Sequence, residues 1–390
     1  MFAKLTTLHR YIERQSAKKY FAVKLSFILM FASWFFAFPE VFTFFIQHKL
    51  QSSWDVVILK ANDLTNNLEH LTAYSWQAKK IFRITIPVII KFFKLNPFII
   101  ICLQIGVGFL TYLYSYKLTH RISGDAVQAT LIASTLAFLY FGRAAFFEHE
   151  YLWFDGFSYF FLLMAMYARR HLFIFIFSAM AAWNDERGFV GLSLVFLFHY
   201  FEKMDSDKIN IRRVFNIDGR AAAVLLAILF YVSFRFILIY KYGMVTNLSG
   251  VGDTQIIENA LPFLAIGLLS FFEGFWLLII FFLGFLIYKR DHYRAIIILI
   301  PLLAMVAVAF CVADITRSGA FAVPIIFLIV SYLNKILHKD ELKIVAGICF
   351  VITFIIPPIF VCSDWGVWAW FQKPTYMYLI DFIKNRTLYG

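Results

Sequence analysis

The sequence contains few charged residues. Only 15% of its 390 residues are Asp, Glu, Lys or Arg, whereas 62% are hydrophobic and 49 are Phe. Soluble domains carry nearer a quarter charged residues. Apolar runs of about 18 or more residues, the length that crosses the hydrocarbon core of a bilayer, recur along the chain. The composition therefore argues against a soluble domain and predicts a polytopic membrane protein.

Cysteine and nucleotide-binding motifs are also scarce. The four cysteines include no C-x-x-C pair, so neither a disulfide framework nor a zinc cluster is supported. The sequence has no G-x-x-x-x-G-K-[ST] loop and no dinucleotide fingerprint, which removes support for ATP-driven and hydride-transfer chemistry. No internal repeat of the kind found in many secondary transporters is evident.

The hydrophobic runs predict an all-α transmembrane helix bundle with about 10 or 11 spans. We expect an amphipathic arm at 1–19, a transmembrane domain at 20–361 and an aromatic tail at 362–390. The arm is basic and lacks the pattern of a cleavable signal, so we expect it to lie on the membrane surface. The predicted spans are 20–45, 96–116, 124–145, 151–168, 171–183, 188–201, 221–240, 262–288, 295–313, 319–335 and 344–361.

The basic residues predict the orientation of the chain. If the N-terminus is cytoplasmic, the arm and the short inner loops hold 20 of the 36 Lys and Arg residues, as the positive-inside rule requires. The net charge of +12 is then mainly a topology signal. Because these charges are spread over short loops and not along one face, no nucleic acid partner is expected. The abundance of Phe, Ile and Lys suggests the inner membrane of a bacterium.

Acidic residues collect on the opposite side, where 13 of the 24 Asp and Glu residues fall in outer loops or at outer helix ends. The first outer loop, 46–95, contains an amphipathic segment from about 75 to 94. It is predicted to be an interfacial helix with Pro87 as a kink or boundary. The tail carries Trp365, Trp368 and Trp370, which favour an interfacial aromatic belt over a sugar-stacking surface.

Carboxylates and arginines at this outer face are the candidate functional residues. Ionisable groups at membrane depth are expensive and usually face a cavity or each other. Asp314 and Arg317 are three residues apart, so on a helix they share a face and can pair. A carboxylate can act as a general base, and an arginine fork can hold a phosphate. The candidate catalytic residues are Asp63, Glu148, Glu150 and Asp155, and the candidate substrate-binding residues are Arg83, Arg143, Asp185, Glu186, Arg187, Asp314 and Arg317.

The layout resembles the GT-C fold of glycosyltransferases that use polyprenyl-phosphate sugars. The resemblance rests on a first span, a long outer loop with an acid and an amphipathic segment ("SWQAKKIFRITIP"), and a second acidic outer loop, over about 200 residues. It implies a sugar donor linked to polyprenyl phosphate, an envelope glycan or lipid as acceptor, and contact with membrane lipids. It also implies that the base is Asp63, with Asp55 in reserve, assisted by Glu148, Glu150 or Asp155. The first loop has no D-x-D motif, so a divalent metal cofactor stays open.

Two other functions remain open from the sequence. A polymerase or ligase of the O-antigen type has a similar length and span count, but it relies mainly on arginines in large outer loops. A transporter or lipid-glycan flippase could use Glu273 and Arg235, which lie within predicted spans. Those two residues could instead be buried partners of each other.

Overall fold

The computed structural model describes residues 10–38, 53–66, 80–146, 154–202, 217–244, 254–370 and 373–388. These residues are mostly α-helical. The helices are α1 (Arg10–Ser16), α2 (Phe21–Phe36), α3 (Ser53–Asn62), α4 (Thr85–Phe93), α5 (Pro97–Ser123), α6 (Ala126–Phe138), α7 (Asp155–Tyr167), α8 (His171–Asn184), α9 (Glu186–Glu202), α10 (Gly219–Tyr242), α11 (Thr254–Ala260), α12 (Leu264–Phe272), α13 (Phe275–Tyr288), α14 (His292–Phe310), α15 (Ile315–Gly319), α16 (Pro324–Leu333), α17 (Lys339–Ile355) and α18 (Thr375–Leu388). Short 3₁₀ helices lie at Tyr140–Ala145, Leu261–Phe263 and Ala320–Ala322.

Five helical stretches in the described ranges are long and apolar enough to cross a membrane: α5, α10, Thr254–Phe272, α14 and Ile315–Leu333. The pair α1 and α2, bent by 119°, would make a sixth. This agrees with a polytopic helical bundle. The number is smaller than the 10 or 11 runs because several runs fold as helices of 13 to 17 residues. At 1.5 Å per residue these are about 20–25 Å long.

The core of the bundle is formed by α7, α9 and the stretch Ile315–Leu333. In that stretch 89% of the most apolar window is buried, compared with 28% for α10 and 33% for α14. The outer helices expose large apolar side chains, such as Leu229, Phe236 and Tyr240 on α10. An apolar exterior around a packed centre is the arrangement expected of helices that face lipid.

The segment before α5 differs from the sequence prediction. Its helix, α4, begins at Thr85, and residues 75–79 of the predicted interfacial helix lie outside the described residues. Pro87 is in the first turn of α4, where its missing N–H removes no helical hydrogen bond, so it causes no kink. Ile81 and Phe82 are buried before the helix starts. The segment is therefore anchored in the bundle on one side.

The predicted span 262–288 is broken into α12 and α13 at Glu273. The backbone of Glu273 has φ +42°, a region that non-glycine residues avoid. The next residue, Gly274, donates its N–H to Thr353 Oγ1 at 3.0 Å. A Cβ on Gly274 would lie 2.2 Å from the carbonyl oxygen of Cys349, so only glycine fits this contact with α17.

The last predicted span, 344–361, ends early and continues into a β-hairpin. Strands β1 (Ile359–Cys362) and β2 (Gly366–Ala369) pair antiparallel, with Ile359 opposite Ala369. The fold therefore contains a small sheet that the all-α prediction missed. Phe360 and Trp368 lie opposite each other on the two strands, and the ring of Trp368 stacks on those of Phe360 and Trp365.

Candidate functional site

A one-residue connection between α8 and α9 brings acidic and basic side chains together. Asp185 is extended (φ −154°, ψ 138°) and ends α8, while Glu186 begins α9. The Asp185 carboxylate accepts from the backbone N–H of Arg187 at 3.0 Å, which fixes the start of α9. A Cβ on Gly188 would lie 2.5 Å from the carbonyl oxygen of Ala181, so this tight corner requires glycine.

Arg187 is the centre of the arrangement. Its Nε and Nη2 donate to both oxygens of Asp185, at 2.7 and 2.6 Å. Its Nη1 donates to Ser318 Oγ at 3.0 Å, and Nη2 lies 3.5 Å from Asp155 Oδ1. The guanidinium also lies over the ring of Phe321, 4.9 Å from its centroid. Arg187 thus joins α7, α9 and the helices around Ser318.

Arg317 makes a second set of contacts beside the first. It donates to the two oxygens of Asp155 at 2.5 and 3.0 Å and to Asp314 at 2.9 Å. Its Nη2 lies 3.9 Å from Asp185 Oδ2. Asp155 is the first residue of α7, where the positive end of the helix dipole also favours a carboxylate. Bidentate Arg–carboxylate pairs of this kind are among the strongest hydrogen bonds in proteins.

Arg83 reaches the same carboxylates from the segment before α4. Its Nη1 lies 2.8 Å from Asp185 Oδ2, and its Nε donates to Glu186 at 3.1 Å. The segment is held there because the N–H of Ile84 and the hydroxyl of Thr85 donate to carbonyls at the end of α8. Side-chain exposure is 22% for Arg83 and 31% for Glu186, against 1% for Asp185. Arg83 and Glu186 therefore form the more open edge. We call the seven residues Arg83, Asp155, Asp185, Glu186, Arg187, Asp314 and Arg317 the charge cluster.

The hairpin supports the part of the charge cluster that lies on α15. The N–H of Val361 donates to Thr316 Oγ1 at 2.8 Å, and the N–H of Ser363 donates to the carbonyl of Ala313 at 2.9 Å. Asp314 and Cys362 also form an isolated β-bridge. These contacts fix the backbone on both sides of Asp314, and hence its position beside Arg317.

The electrostatics of the charge cluster favour the ionised form of Asp185. Burial opposes ionisation of Asp185, but Arg187, Arg83 and Arg317 outweigh it and hold the pKa of that carboxyl well below its usual range. For Lys80, by contrast, the surroundings favour the neutral form. Burial of its ammonium group, followed by repulsion from Arg83 and Arg317, places its pKa well below the usual value, although Asp155 and Asp185 oppose this shift. The site therefore combines fixed guanidinium groups with an amine whose pKa is lowered by its surroundings.

The chain matches no known protein family, no curated protein and no solved structure.

The structure brings together seven of the candidate residues from the sequence, which are the members of the charge cluster. Their grouping follows from helix ends that meet at the same side of the bundle. Ser318, which receives a hydrogen bond from Arg187, was missed, because a small hydroxyl near a helix start has no distinctive sequence signal. Lys80 was not among the candidate site residues either.

The other candidates are placed elsewhere. Asp63 is exposed in the turn after α3 and accepts from the N–H and hydroxyl of Thr65. Those hydrogen bonds lower its pKa, the opposite of the shift expected for a general base. Arg143 is buried in the 3₁₀ helix Tyr140–Ala145, with its guanidinium over the ring of Tyr140. Glu148 and Glu150 lie outside the described residues.

Two further expectations can be compared with the described residues. The pairing of Glu273 with Arg235 is not found there. Arg235 donates to the Tyr231 hydroxyl and lies over the ring of Phe82, whereas Glu273 accepts from the N–H of Ile359. No group of three or more His, Cys, Asp or Glu residues within the described ranges has the geometry to hold a metal ion.

Proposed function

We propose that the protein is a GT-C-type membrane glycosyltransferase, which moves a sugar from a polyprenyl-phosphate donor to an envelope glycan or lipid acceptor. The observation that carries the proposal is the convergence of Arg83, Arg187 and Arg317, from three separate segments, on two buried carboxylates. Guanidinium groups match the geometry of phosphate oxygens and are weakly hydrated, so they suit phosphate recognition at membrane depth. We place the charge cluster at the outer face of a bacterial inner membrane, with the N-terminus in the cytoplasm.

An apolar surface for the lipid chain adjoins the more open edge of the charge cluster. Helix α4 begins two residues after Arg83 and exposes Val88, Phe92 and Phe93, with relative exposures of 40%, 78% and 63%. A donor whose isoprenoid chain lies against α4 would bring its phosphate to Arg83, because the helix is only about 14 Å long. The combination of a charged site and an adjacent apolar surface fits a lipid-linked phosphate better than a free sugar phosphate.

Asp155 is the carboxylate that we assign as general base. The acceptor hydroxyl attacks the anomeric carbon of the donor sugar, and the bond from that carbon to the phosphate oxygen breaks. Its electron pair stays on the phosphate, whose charge the arginines stabilise, and the proton of the hydroxyl passes to Asp155. Donor phosphate competes with Asp155 for Arg187, whose contact with that carboxylate, at 3.5 Å, is longer than the two hydrogen bonds that Arg317 donates to it. Binding of the donor thus draws one of the two arginines away from Asp155, while Arg317 keeps the carboxylate in position.

Lys80 provides a way to balance the added negative charge. Its pKa is lowered by burial and by its arginine neighbours, and a phosphate nearby favours its protonated form. We expect donor binding to take up a proton, and Lys80→Met to remove this uptake. Calorimetric titration of a short-chain isoprenyl phosphate, in buffers of different ionisation enthalpy, measures it. Identical binding enthalpies in the two buffers would argue against this role.

Transfer of labelled sugar from polyprenyl-phosphate sugars to envelope lipid extracts, with purified protein in lipid nanodiscs, tests the function. We expect single-turnover transfer by the wild type and a loss of about 10²- to 10⁴-fold in Asp155→Asn, the contribution typical of a general base. The matched control is Asp291→Asn, because Asp291 also pairs with an arginine, Arg294, but outside the charge cluster. Asp63→Asn tests the base that the family resemblance implies.

The outcomes separate the assignments. If Asp155→Asn loses sugar transfer while Asp291→Asn and Asp63→Asn remain active, the assignment of Asp155 as the general base is supported. Loss in Asp63→Asn alone would return the role of base to the first loop. Folded wild-type protein that transfers no sugar from any donor would contradict the transferase proposal.

Glu273 supports a second candidate, a lipid-glycan transporter. It is only 3% exposed at the break between α12 and α13, and its Oε2 has no hydrogen-bond partner among the described residues. Broken helices with buried acids are a feature of transporter binding sites. Flux of fluorescent lipid across proteoliposomes that is lost in Glu273→Gln would favour this candidate. Equal flux with and without the protein would exclude it.

A further inference from the structure

A second polar site lies at the other end of the bundle. Its cavity of about 640 Å³ is within the range of small-molecule sites. Among the described residues, its polar lining includes Arg121, Arg169, Glu202, Arg220, Asn334 and Lys335. None of these residues belongs to the charge cluster.

Helices α7 and α9 show how far apart the two sites are. Each begins in the charge cluster, at Asp155 and Glu186, and each ends beside the cavity, at Tyr167 and Glu202. With 13 and 17 residues, they span about 20 and 25 Å. The cavity therefore lies across the bundle from the charge cluster, on the side that the basic loops predict to be cytoplasmic.

The cavity carries an excess of positive charge. Its lining holds four cations and one carboxylate, Glu202, and a second carboxylate, Asp218, pairs with Arg220 beside it. The side chains therefore leave two positive charges. Helices α5, α7, α9 and α16 end there, and α10 begins there. At about half a charge for each terminus, these helix ends offset about one and a half positive charges. A small positive excess remains, so an anion is the ligand that the cavity attracts.

Three of the cations are held in place by protein contacts. Arg121 donates to the carbonyls of Tyr167 and Met166, at 2.5 and 3.0 Å. Lys335 donates to the carbonyls of Phe201 and Glu202, at 3.2 and 3.0 Å.

Arg220 is the third cation that protein contacts hold in place. It donates to the carboxylates of Glu202 and Asp218, at 2.7 and 3.3 Å. A purely structural role would explain these contacts, since cations often cap helix C-termini. It does not explain a cavity of this volume with an additional exposed arginine, Arg169, on its wall. Fixed cations around an open volume are a preorganised anion site.

We infer that this cavity binds a phosphate-bearing ligand of nucleotide or lipid-headgroup size. A guanidinium has five N–H donors, and Arg121 commits only part of them to the carbonyls of Tyr167 and Met166. The Asn334 amide adds a neutral donor. Phosphate groups accept several such hydrogen bonds at once. The ligand has two sources, an anionic lipid of the bilayer or a soluble diphosphate.

The test uses the full chain in nanodiscs and a pair of neighbouring arginines. Arg169 lines the cavity, whereas Arg170 is equally exposed and is not part of the lining. Inorganic diphosphate is titrated calorimetrically into protein in phosphatidylcholine nanodiscs. Bound phosphatidylglycerol is counted by native mass spectrometry after release from mixed nanodiscs. Loss of one charged hydrogen bond is expected to weaken binding at least about tenfold in Arg169→Ala, and Arg170→Ala should match the wild type.

Each outcome has a defined meaning. Diphosphate binding that is weakened only by Arg169→Ala supports the inference with a soluble ligand. Retention of a phosphatidylglycerol molecule that only Arg169→Ala loses supports it with a lipid ligand. The inference would be overturned if the wild type neither binds diphosphate nor retains phosphatidylglycerol. It would also be overturned if Arg169→Ala and Arg170→Ala have equal effects. Neither readout depends on sugar transfer, so the test is independent of the proposed enzyme.

Discussion

Replacement of Arg317 by alanine is expected to destabilise the protein more than replacement of an exposed charged residue does. The guanidinium is 5% exposed, and its loss leaves Asp155 with one contact of 3.5 Å to Arg187 and removes the ionic partner of Asp314. Breaking a buried ion pair from one side costs about 3–5 kcal/mol, because the remaining charge stays in a poorly solvated site. The melting temperature in detergent, measured by tryptophan fluorescence, should fall by about 5 °C or more.

A double-mutant cycle tests whether this loss reflects the uncompensated carboxylate. The double variant Arg317→Ala/Asp155→Asn should melt above Arg317→Ala, since removal of both charges leaves no buried ion. Lys373→Ala is the control, because Lys373 pairs with Asp381 at an exposed position, where ion pairs contribute about 0–1 kcal/mol. An unchanged melting temperature in Arg317→Ala would contradict this role of the buried carboxylate. So would a double variant whose melting temperature falls by more than the sum of the two single decreases.

Three further predictions concern other parts of the bundle. Burial lowers the pKa of Lys60 to about 8, against a weaker opposing effect of Asp63, so the unfolded chain binds more protons between that pH and the ordinary lysine value. Stability should therefore rise as the pH increases from about 8 to 10, and Lys60→Met should flatten this rise in pH-dependent melting curves. A Cβ at Gly188 would clash with a backbone carbonyl, whereas nothing lies within 4 Å of one at Gly106. Gly188→Ala should therefore lower the melting temperature, and Gly106→Ala should leave it unchanged or raise it, as helical alanine is favoured by about 0.5–1 kcal/mol. Glu273→Gln should melt at or above the wild-type temperature, because an ionised carboxylate in that buried position is costly; a clear fall would show that the charge is required.

The grouping of the charge cluster could be anticipated from the sequence because topology constrains it. Successive helices alternate in direction, so polar residues at every second helix boundary lie on the same side of the bundle. Asp155, Asp185 and Asp314 satisfy this condition, and Arg187 and Arg317 follow the last two of these by two and three residues. The local pair of Asp314 and Arg317 was expected from their spacing and is present, but the long-range pairing was not accessible. Asp155 and Arg317, which pair with each other, are 162 residues apart in sequence. No local rule fixes which guanidinium faces which carboxylate over such a distance.

The break at Glu273 and the hairpin after α17 were missed for different physical reasons. Residues 262–288 are apolar enough for one continuous span, and the single charge in them gives no local reason to stop. The helix ends there because Gly274 packs against the carbonyl of Cys349, a contact made possible by tertiary structure alone. The hairpin, by contrast, turns just before Gly366, which adopts φ +90°. In the sequence, a glycine between two short runs rich in Val and aromatic residues provides turn and strand signals. They were hidden because aromatic residues near a predicted membrane span are equally typical of an interfacial belt. The missed hairpin supports the candidate site, since it fixes the backbone beside Asp314 and thereby one wall of the charge cluster.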